Sequence, residues 1–213
     1  MNVVAVSQLV EDLPDRGERR DALDQAMTCF LLAAGFLAFP VPNCLVTRRG
    51  EIPADTTALR QWLAALAPRA IVLSGGDDFG IREDRDATEM ALLDHASERE
   101  LPMLGLCRGM QVMGRWAGVS TKLAPGHVRV RHEIRGAISG RVNSFHRSAL
   151  SACPSGFEVT AVSDDGEIEA IRHRAMSWEG WMWHPEREAP FDSRDVGRIR
   201  ALFSSPVMVE ERP

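Results

Sequence analysis

Short apolar runs alternate with helical patterns along the first 120 or so residues of the chain. Residues 3–6 are Val, Val, Ala and Val, a composition typical of a strand that is buried on both faces. Apolar residues at three- and four-residue steps then predict a helix from Leu23 to Ala34, ended by Gly35. The same alternation continues, with strands predicted at 36–41, 70–73 and 102–106 and helices at 59–66, 86–100 and 110–117.

The pattern changes after about residue 125. Shorter strands separated by turns are predicted at 126–142, 157–162, 167–171 and 177–183, before a closing helix at 196–203. Strands that alternate with helices form mostly parallel sheets covered by helices on both faces. We therefore predict an α/β fold with a mostly parallel central sheet, flanking helices and a small antiparallel β addition.

Composition indicates an ordinary globular protein. The 213 residues are 45% hydrophobic and 26% charged, close to the average for such proteins. No internal repeat or long linker divides the chain, so residues 1–213 are predicted to form a single domain. The formal net charge of −5 provides no electrostatic footprint for nucleic acid or for an anionic membrane. Neither is expected as a partner.

Targeting signals and disulfide patterns are not recognisable in the sequence. Residues 1–10 lack a basic region before their apolar residues, and no run approaches the roughly 18 apolar residues of a membrane span. The four cysteines show no metal-ligand spacing, which favours a reduced, cytoplasmic protein. Residues 206–213 are expected to form a short mobile tail. The oligomeric state stays open, a homodimer included.

The segment around Cys107 has the G-x-C-x-G form expected where a strand turns sharply into a helix. A nucleophile on such a turn needs small neighbours, here Gly105 and Gly109, because a Cβ would collide with the strand or the helix. The N-terminus of the following helix lowers the pKa of a thiol. The pattern indicates a cysteine nucleophile, and an ordinary buried cysteine at a tight turn is the alternative.

A cysteine nucleophile needs a base, and His184 followed by Glu186 offers one. Residues i and i+2 of an extended segment point to the same side, so the carboxylate is expected to orient the imidazole. A solvated histidine near a strand end is the alternative. A second glycine turn, Gly75–Gly76, follows the strand predicted at 70–73. Ligands of parallel sheets bind beyond the carboxyl ends of the strands, so the site is predicted at that edge.

Together these motifs resemble the class I glutamine amidotransferase-like proteins, a flavodoxin-like family with a Cys-His-Glu triad. Segments 71–76, 105–111 and 183–186 occur in that family's order, and the resemblance spans about residues 3–203. It implies a γ-glutamyl amide hydrolase that forms a γ-glutamyl thioester and needs no cofactor and no metal.

The resemblance implies the catalytic roles of three residues, with Cys107 as the nucleophile, His184 as the base and Glu186 as the orienting carboxylate.

The resemblance also implies the residues that bind the small-molecule γ-glutamyl substrate. Backbone N–H groups of Arg108 and of Gly75 or Gly76 are expected to hold the oxyanion. Recognition of the glutamyl group is expected from a set of polar and aromatic residues near the triad: Gln111, Asn143, Ser144, Phe145 and His146.

Two further segments narrow the resemblance. Residues 142–146, VNSFH, are similar to the NSxH segment of γ-glutamyl-amine hydrolases, and 165–171 is similar to the strand-turn-strand that follows it there. The short loop at 77–85 and the segment at 182–188 look most like the small γ-glutamyl-CDP-amidate hydrolases. Those enzymes serve capsule phosphoramidate synthesis and release glutamate and cytidine diphosphoramidate.

Three other functions stay open. The first is hydrolysis of γ-glutamyl-γ-aminobutyrate-type amides. The second is that of a glutaminase subunit delivering ammonia to a partner synthetase. The third is a non-catalytic sensor or scaffold, against which the presence of all three triad residues argues.

Two charged segments are interpreted as structural. The acidic residues between 77 and 84 lack the spacing of a calcium-binding loop, so no metal site is predicted there or elsewhere. The run from Arg129 to His132 is interpreted as a solvated strand face, with phosphate binding as the alternative.

Overall fold

The structure, a computed structural model, describes residues 2–49 and 52–204, so the predicted tail at 206–213 lies outside the described residues. The strands are β1 (Asn2–Ser7), β2 (Leu9–Leu13), β3 (Glu18–Ala22), β4 (Phe36–Val41), β5 (Thr47–Arg49), β6 (Ile52–Asp55), β7 (Ala70–Leu73), β8 (Met103–Leu106), β9 (Thr121–Leu123), β10 (Val128–Gly136), β11 (Gly140–Phe145), β12 (Ser148–Leu150), β13 (Phe157–Ser163), β14 (Ile168–His173) and β15 (Trp178–Trp181). The α-helices are α1 (Gln25–Ala33), α2 (Thr57–Leu66), α3 (Glu83–Glu98), α4 (Arg108–Trp116) and α5 (Ser193–Ser204).

Nine of these strands form one sheet in the order β11-β10-β13-β14-β15-β8-β7-β1-β4. From β4 to β15 every pairing is parallel, and from β15 to β11 every pairing is antiparallel. The predicted α/β class is therefore confirmed. The antiparallel addition is continuous with the parallel sheet and contributes four of its nine strands.

The parallel strands are covered on both faces, as their doubly apolar sequences predict. In β1, Val4 packs with the helices α1 and α5 on one face, whereas its neighbour Ala5 packs with α2, α3 and α4 on the other. In β7, Ala70 packs on the same face as Val4 and Ile71 packs on the same face as Ala5. Side chains of a strand alternate between the faces, so a strand buried on both sides must be apolar at every position.

The predicted elements are found with small shifts at their ends. The strand predicted at 126–142 is two strands, β10 and β11, because the chain reverses between Gly136 and Gly140, which both have positive φ values of 142° and 133°. The hairpin of β2 and β3 was not predicted, since its residues are mostly charged and exposed. Within the described residues, no helix is long and apolar enough to cross a membrane.

Three adjacent strands bring the predicted site residues to one edge of the sheet. In the order β7, β8 and β15, neighbouring strands are parallel, so their carboxyl ends lie side by side. Gly75 follows β7, Cys107 follows β8, and His184 follows β15. Residues that are separated by up to about half the chain therefore meet at this edge.

Candidate active site

The backbone of Cys107 is held in an uncommon conformation. Its φ is 50° and its ψ is −104°. Residues other than glycine rarely adopt such a positive φ. Its N–H donates to the Trp181 carbonyl at 2.6 Å. A Cβ on Gly105 would lie 2.6 Å from the carbonyl carbon of Gly109, and a Cβ on Gly109 would overlap the Leu73 carbonyl. Both glycines are therefore required by contacts between backbones, as the motif predicted.

His184 and Glu186 form a buried hydrogen-bonded pair, with 2.6 Å between His184 Nδ1 and Glu186 Oε1. The contact between these two side chains was predicted from the sequence, but on the assumption that the segment is extended. The segment Pro185–Arg187 is a short 3-10 turn rather than extended chain, and the turn brings Glu186 back to the imidazole. Because Nδ1 is bound to Glu186, Nε2 is the ring nitrogen left for Cys107.

The imidazole of His184 is held in its cationic form. Burial works to lower the pKa of His184, but hydrogen bonds with Cys107 and Glu186 outweigh burial and raise the pKa to about 9. At neutral pH a protonated imidazole therefore lies between the sulfur of Cys107 and the carboxylate of Glu186. A Cβ on Gly75 would lie 2.5 Å from His184 Cε1, so glycine at this position leaves room for the ring.

The Gly75–Gly76 turn is oriented by Arg85, a residue that the sequence did not single out. Its Nη2 donates to the carbonyl of Ser74 at 2.8 Å and to that of Gly75 at 2.9 Å. In a planar trans peptide, the N–H points opposite to the preceding carbonyl. The N–H groups of Gly75 and Gly76 are therefore turned away from Arg85, which suits the oxyanion role predicted for them.

A buried network of charges joins this turn to the start of α4. The carboxylate of Glu89 accepts from Ser7 Oγ at 2.7 Å, from Arg85 Nε at 3.0 Å and from Arg108 Nη1. Arg108 also donates to Asp86 at 2.5 Å. Burial lowers the pKa of Arg85 to about 10 and that of Arg108 to about 9, so both stay charged at neutral pH. The Arg108 side chain is thus structural, and only its backbone N–H, in the first turn of α4, is free of the helix ladder.

The residues predicted to bind substrate divide between the two faces of β11. Asn143 Nδ2 donates to the His184 carbonyl at 2.8 Å, and Asn143 Oδ1 accepts from the His184 N–H at 2.8 Å. The ring of Phe145 meets the His184 ring edge-on, with 5.6 Å between centroids. Ser144 points the other way and donates to the His127 carbonyl at 2.7 Å. Asn143 and Phe145 therefore lie at the candidate site, and the Ser144 side chain does not.

Two further predicted substrate residues are engaged within the protein. The ring of His146, a residue predicted to bind substrate, is buried with its Nε2 3.4 Å from Glu169 Oε1. Gln111 is buried as well, and its Nε2 donates to the Ser148 carbonyl at 2.8 Å. That bond ties α4 to β12. Both side chains thus have partners within the protein, and the substrate contacts expected of them stay predictions.

Comparison with known proteins identifies the family of the chain. The family model of the class-I glutamine amidotransferases matches residues 48–192. The chain belongs to the class I glutamine amidotransferase family. Members of this family are cysteine-dependent amide hydrolases or amidotransferases.

Relatives within the family have different functions. A γ-glutamyl-CDP-amidate hydrolase of Campylobacter jejuni is 29% identical over 127 residues, which is 56% of this chain and 63% of the relative. This chain thus spans less than two thirds of that hydrolase. Anthranilate synthase component 2 of Azospirillum brasilense is 34% identical over 163 residues, 67% of this chain and 80% of the relative.

Solved structures agree with the fold. A glutamine amidotransferase from Thermotoga maritima aligns with a TM-score of 0.62 at 15% identity, covering 94% of this chain and 83% of that one. The flavodoxin-like family fold predicted from the motifs is therefore confirmed.

Proposed function

We propose that this chain is a cysteine-dependent hydrolase of γ-glutamyl amide bonds, acting as one domain in the cytoplasm. The observation that carries the proposal is the position of His184. Its ring is hydrogen-bonded through Nδ1 to the Glu186 carboxylate, and interaction with Cys107 raises its pKa, in a buried site where three strands end. This is the arrangement that activates a nucleophile through a base held by a third group.

The first half of the reaction forms a thioester. The Cys107 thiolate attacks the γ-carbonyl carbon, and a negative charge develops on the carbonyl oxygen. The backbone N–H of Arg108 and one from Gly75 or Gly76 stabilise that oxyanion, and each such donor is worth roughly 10²–10³ in rate. When the C–N bond breaks, the His184 imidazolium gives its proton to the leaving nitrogen.

The second half of the reaction releases glutamate. The now neutral His184 takes a proton from water, and the resulting hydroxide attacks the γ-glutamyl thioester carbonyl. The C–S bond breaks, so that glutamate leaves and the Cys107–His184 ion pair is restored. Glu186 keeps Nδ1 protonated throughout and stabilises the imidazolium, because its Oε1 lies 2.6 Å from that nitrogen.

For the substrate we propose γ-glutamyl-CDP-amidate, cleaved to glutamate and cytidine diphosphoramidate in capsule phosphoramidate synthesis. The Campylobacter relative that carries this name supports the assignment. A cation beside the triad supports it as well. The guanidinium of Arg187 lies 4.6 Å from the centre of the Phe145 ring, which in turn contacts His184. With 40% of its side chain exposed, Arg187 is available to an anionic diphosphate or carboxylate.

A second candidate is a glutaminase subunit that delivers ammonia to a partner synthetase. It is favoured by the similarity to anthranilate synthase component 2, whose name marks it as one part of a larger enzyme. The same triad would serve, with glutamine as the substrate. Hydrolysis of γ-glutamyl-γ-aminobutyrate uses the same residues again and differs only in the amine.

Glutamate release by the purified chain tests the proposal. The substrates are γ-glutamyl-CDP-amidate, γ-glutamyl-γ-aminobutyrate and glutamine, and the variant Cys107→Ala is compared with Cys153→Ala, which changes an exposed cysteine. We expect turnover of the nucleotide conjugate that is lost in Cys107→Ala and kept in Cys153→Ala. Turnover of only the aminobutyrate conjugate would replace the substrate and keep the chemistry. Turnover that survives in Cys107→Ala would refute the mechanism.

A further inference from the structure

Three histidines and a glutamate converge inside the antiparallel part of the sheet, away from the triad. His132 lies in β10 and His127 directly before it, His146 directly follows β11, and Glu169 lies in β14. Glu169 Oε1 is 3.3 Å from His127 Nδ1, 3.5 Å from His132 Nε2 and 3.4 Å from His146 Nε2. Glu169, His127 and His146 are buried, and 17% of the His132 side chain is exposed. His132, interpreted from the sequence as part of a solvated face, is thus turned inward.

The polar atoms at the centre of this cluster have no partners. Among the described residues, no hydrogen-bond partner exists for the inward ring nitrogens of the three histidines or for either carboxylate oxygen of Glu169. Buried polar groups in folded proteins are nearly always hydrogen-bonded, so five unpartnered atoms around one carboxylate need an explanation. One ligand atom each from His127, His132 and Glu169 lies within 4.8 Å of the other two. A bound cation would supply the missing partner for all three nitrogens and for the carboxylate.

The distances fit a metal ion better than hydrogen bonds. A charge-assisted N–H···O bond is about 2.7–2.9 Å long, shorter than all three contacts with Glu169. Zinc binds nitrogen at about 2.0–2.1 Å and carboxylate oxygen at about 2.0–2.2 Å. Two such ligands at the tetrahedral angle are separated by about 3.3–3.5 Å. The contacts observed with Glu169 Oε1 are 3.3, 3.4 and 3.5 Å long.

The outward nitrogens of two of the rings are fixed by acceptors. His127 Nε2 lies 2.9 Å from a carboxylate oxygen of Asp165, and His146 Nδ1 lies 3.2 Å from the Ser148 carbonyl. Asp165 is held in turn by Ser163 Oγ at 2.5 Å. An acceptor on the outward side keeps the proton there and leaves the inward nitrogen with a free lone pair. Histidines that bind metals almost always have such a carboxylate or carbonyl partner.

We propose that His127, His132, His146 and Glu169 bind one divalent transition-metal ion of the Zn²⁺ type in a closed structural site. Imidazole and carboxylate ligands suit such an ion, and four protein ligands complete a tetrahedral shell. The ion would join β10, the end of β11 and β14. This departs from the expectation of no metal, which rested on the acidic loop and on the chemistry of the triad.

The site is independent of the proposed hydrolysis, because none of its four ligands takes part in that reaction. The strand β11 lies between the two sites. On this strand, Ser144 and the following His146 lie on the metal side, while Asn143 and Phe145 contact His184. Failure of the metal proposal would therefore leave the hydrolase proposal untouched, and the reverse holds as well.

Zinc binding is best measured in a Cys107→Ala background, since a thiol with a neighbouring histidine also binds Zn²⁺. The full chain is dialysed against a chelator, and calorimetric titration with ZnCl₂ gives affinity and stoichiometry. We expect one equivalent in this background and in a His173→Asn control, which changes a histidine of β14 outside the cluster. We expect no binding in His132→Asn or in Glu169→Gln. Loss of the Asp165 carboxylate in Asp165→Asn should weaken the affinity by about 10–100-fold.

A second measurement distinguishes a metal ion bound in the proposed tetrahedral geometry from one bound nonspecifically at the surface. Co²⁺ in place of Zn²⁺ should show the intense visible absorption of a tetrahedral site, and His132→Asn should remove that absorption. Asp165 is largely exposed, so its variant is expected to fold even if the ligand variants do not. Failure of the Cys107→Ala chain to bind Zn²⁺ would overturn the proposal. So would an unchanged affinity for Zn²⁺ in both the His132→Asn and the Asp165→Asn variants.

Discussion

Replacement of Glu89 by glutamine tests whether the buried charge network holds the active-site turns in place. Glu89 is fully buried and lies between the guanidinium groups of Arg85 and Arg108, each of which is also almost completely buried. Glutamine keeps the shape of the side chain and removes its charge. Of the two carboxylates that pair with Arg108, only Asp86 would then remain, and Arg85 would lose its ion-pair partner in the helix.

The expected loss of stability is large. Removing one partner of a buried ion pair costs about 3–5 kcal/mol, because it leaves an uncompensated charge in a medium of low polarity. Burial already lowers the pKa of Arg85 to about 10 and that of Arg108 to about 9, which shows that desolvation works against both charges even with Glu89 present. We therefore expect the free energy of unfolding to fall by about 3–5 kcal/mol in Glu89→Gln.

Urea unfolding followed by tryptophan fluorescence measures this loss, since Trp178, Trp181 and Trp183 are fully buried. A matched control is Glu98→Gln on the same helix, whose carboxylate is 50% exposed and pairs with Arg60 at the surface. Surface pairs contribute little, so the control should unfold near the wild-type urea concentration. If the two variants were equally stable, the buried network would not stabilise the fold as described.

Further predictions concern the turn that carries Cys107 and the pKa of His184. Gly105→Ala should destabilise the chain by about 1–3 kcal/mol, since its Cβ would lie 2.6 Å from the Gly109 backbone. In the control Gly197→Ala in α5, the added Cβ meets open space, and stability should rise by up to about 1 kcal/mol. The stability of both variants is measured from the midpoints of urea unfolding. The pKa of His184 is raised from 6.5 to about 9, so its stabilising contribution is complete below pH 6.5 and is lost as the pH rises through 9. The wild-type advantage over His184→Gln in unfolding free energy should accordingly shrink by about 3 kcal/mol across this window, and a constant difference would contradict the assigned charge state.

The parallel half of the fold was predictable because its strands are apolar at every position and its helices have clear apolar stripes. The limits of β4, at 36–41, agree with the sequence prediction. The hairpin of β2 and β3 was missed because charged, exposed residues lack the alternation that marks a half-buried strand. Pairing of distant strands, such as β15 beside β8, is a tertiary property that no local pattern contains.

The catalytic residues could be proposed from local motifs, whereas their supporting residues could not. Cys107 carries its signal in its flanking glycines. Arg85 and Glu89 are spaced as an ordinary helical ion pair, and nothing local distinguishes a buried pair from an exposed one. His146 was placed by resemblance, but the alternation of β11 turns its ring toward Glu169. A signal did exist for that cluster, since three of the six histidines fall within residues 127–146.

The central claim is that Cys107 becomes acylated by a γ-glutamyl group, and covalent trapping tests it most directly. The purified chain is incubated with a glutamine analogue that carries an electrophilic diazoketone in place of the γ-amide, and the labelled peptide is identified by mass spectrometry. We predict one label per chain, on Cys107, formed much more slowly in His184→Gln and absent in Cys107→Ala. Labelling of another residue, or equal labelling of the exposed cysteines, would contradict the account.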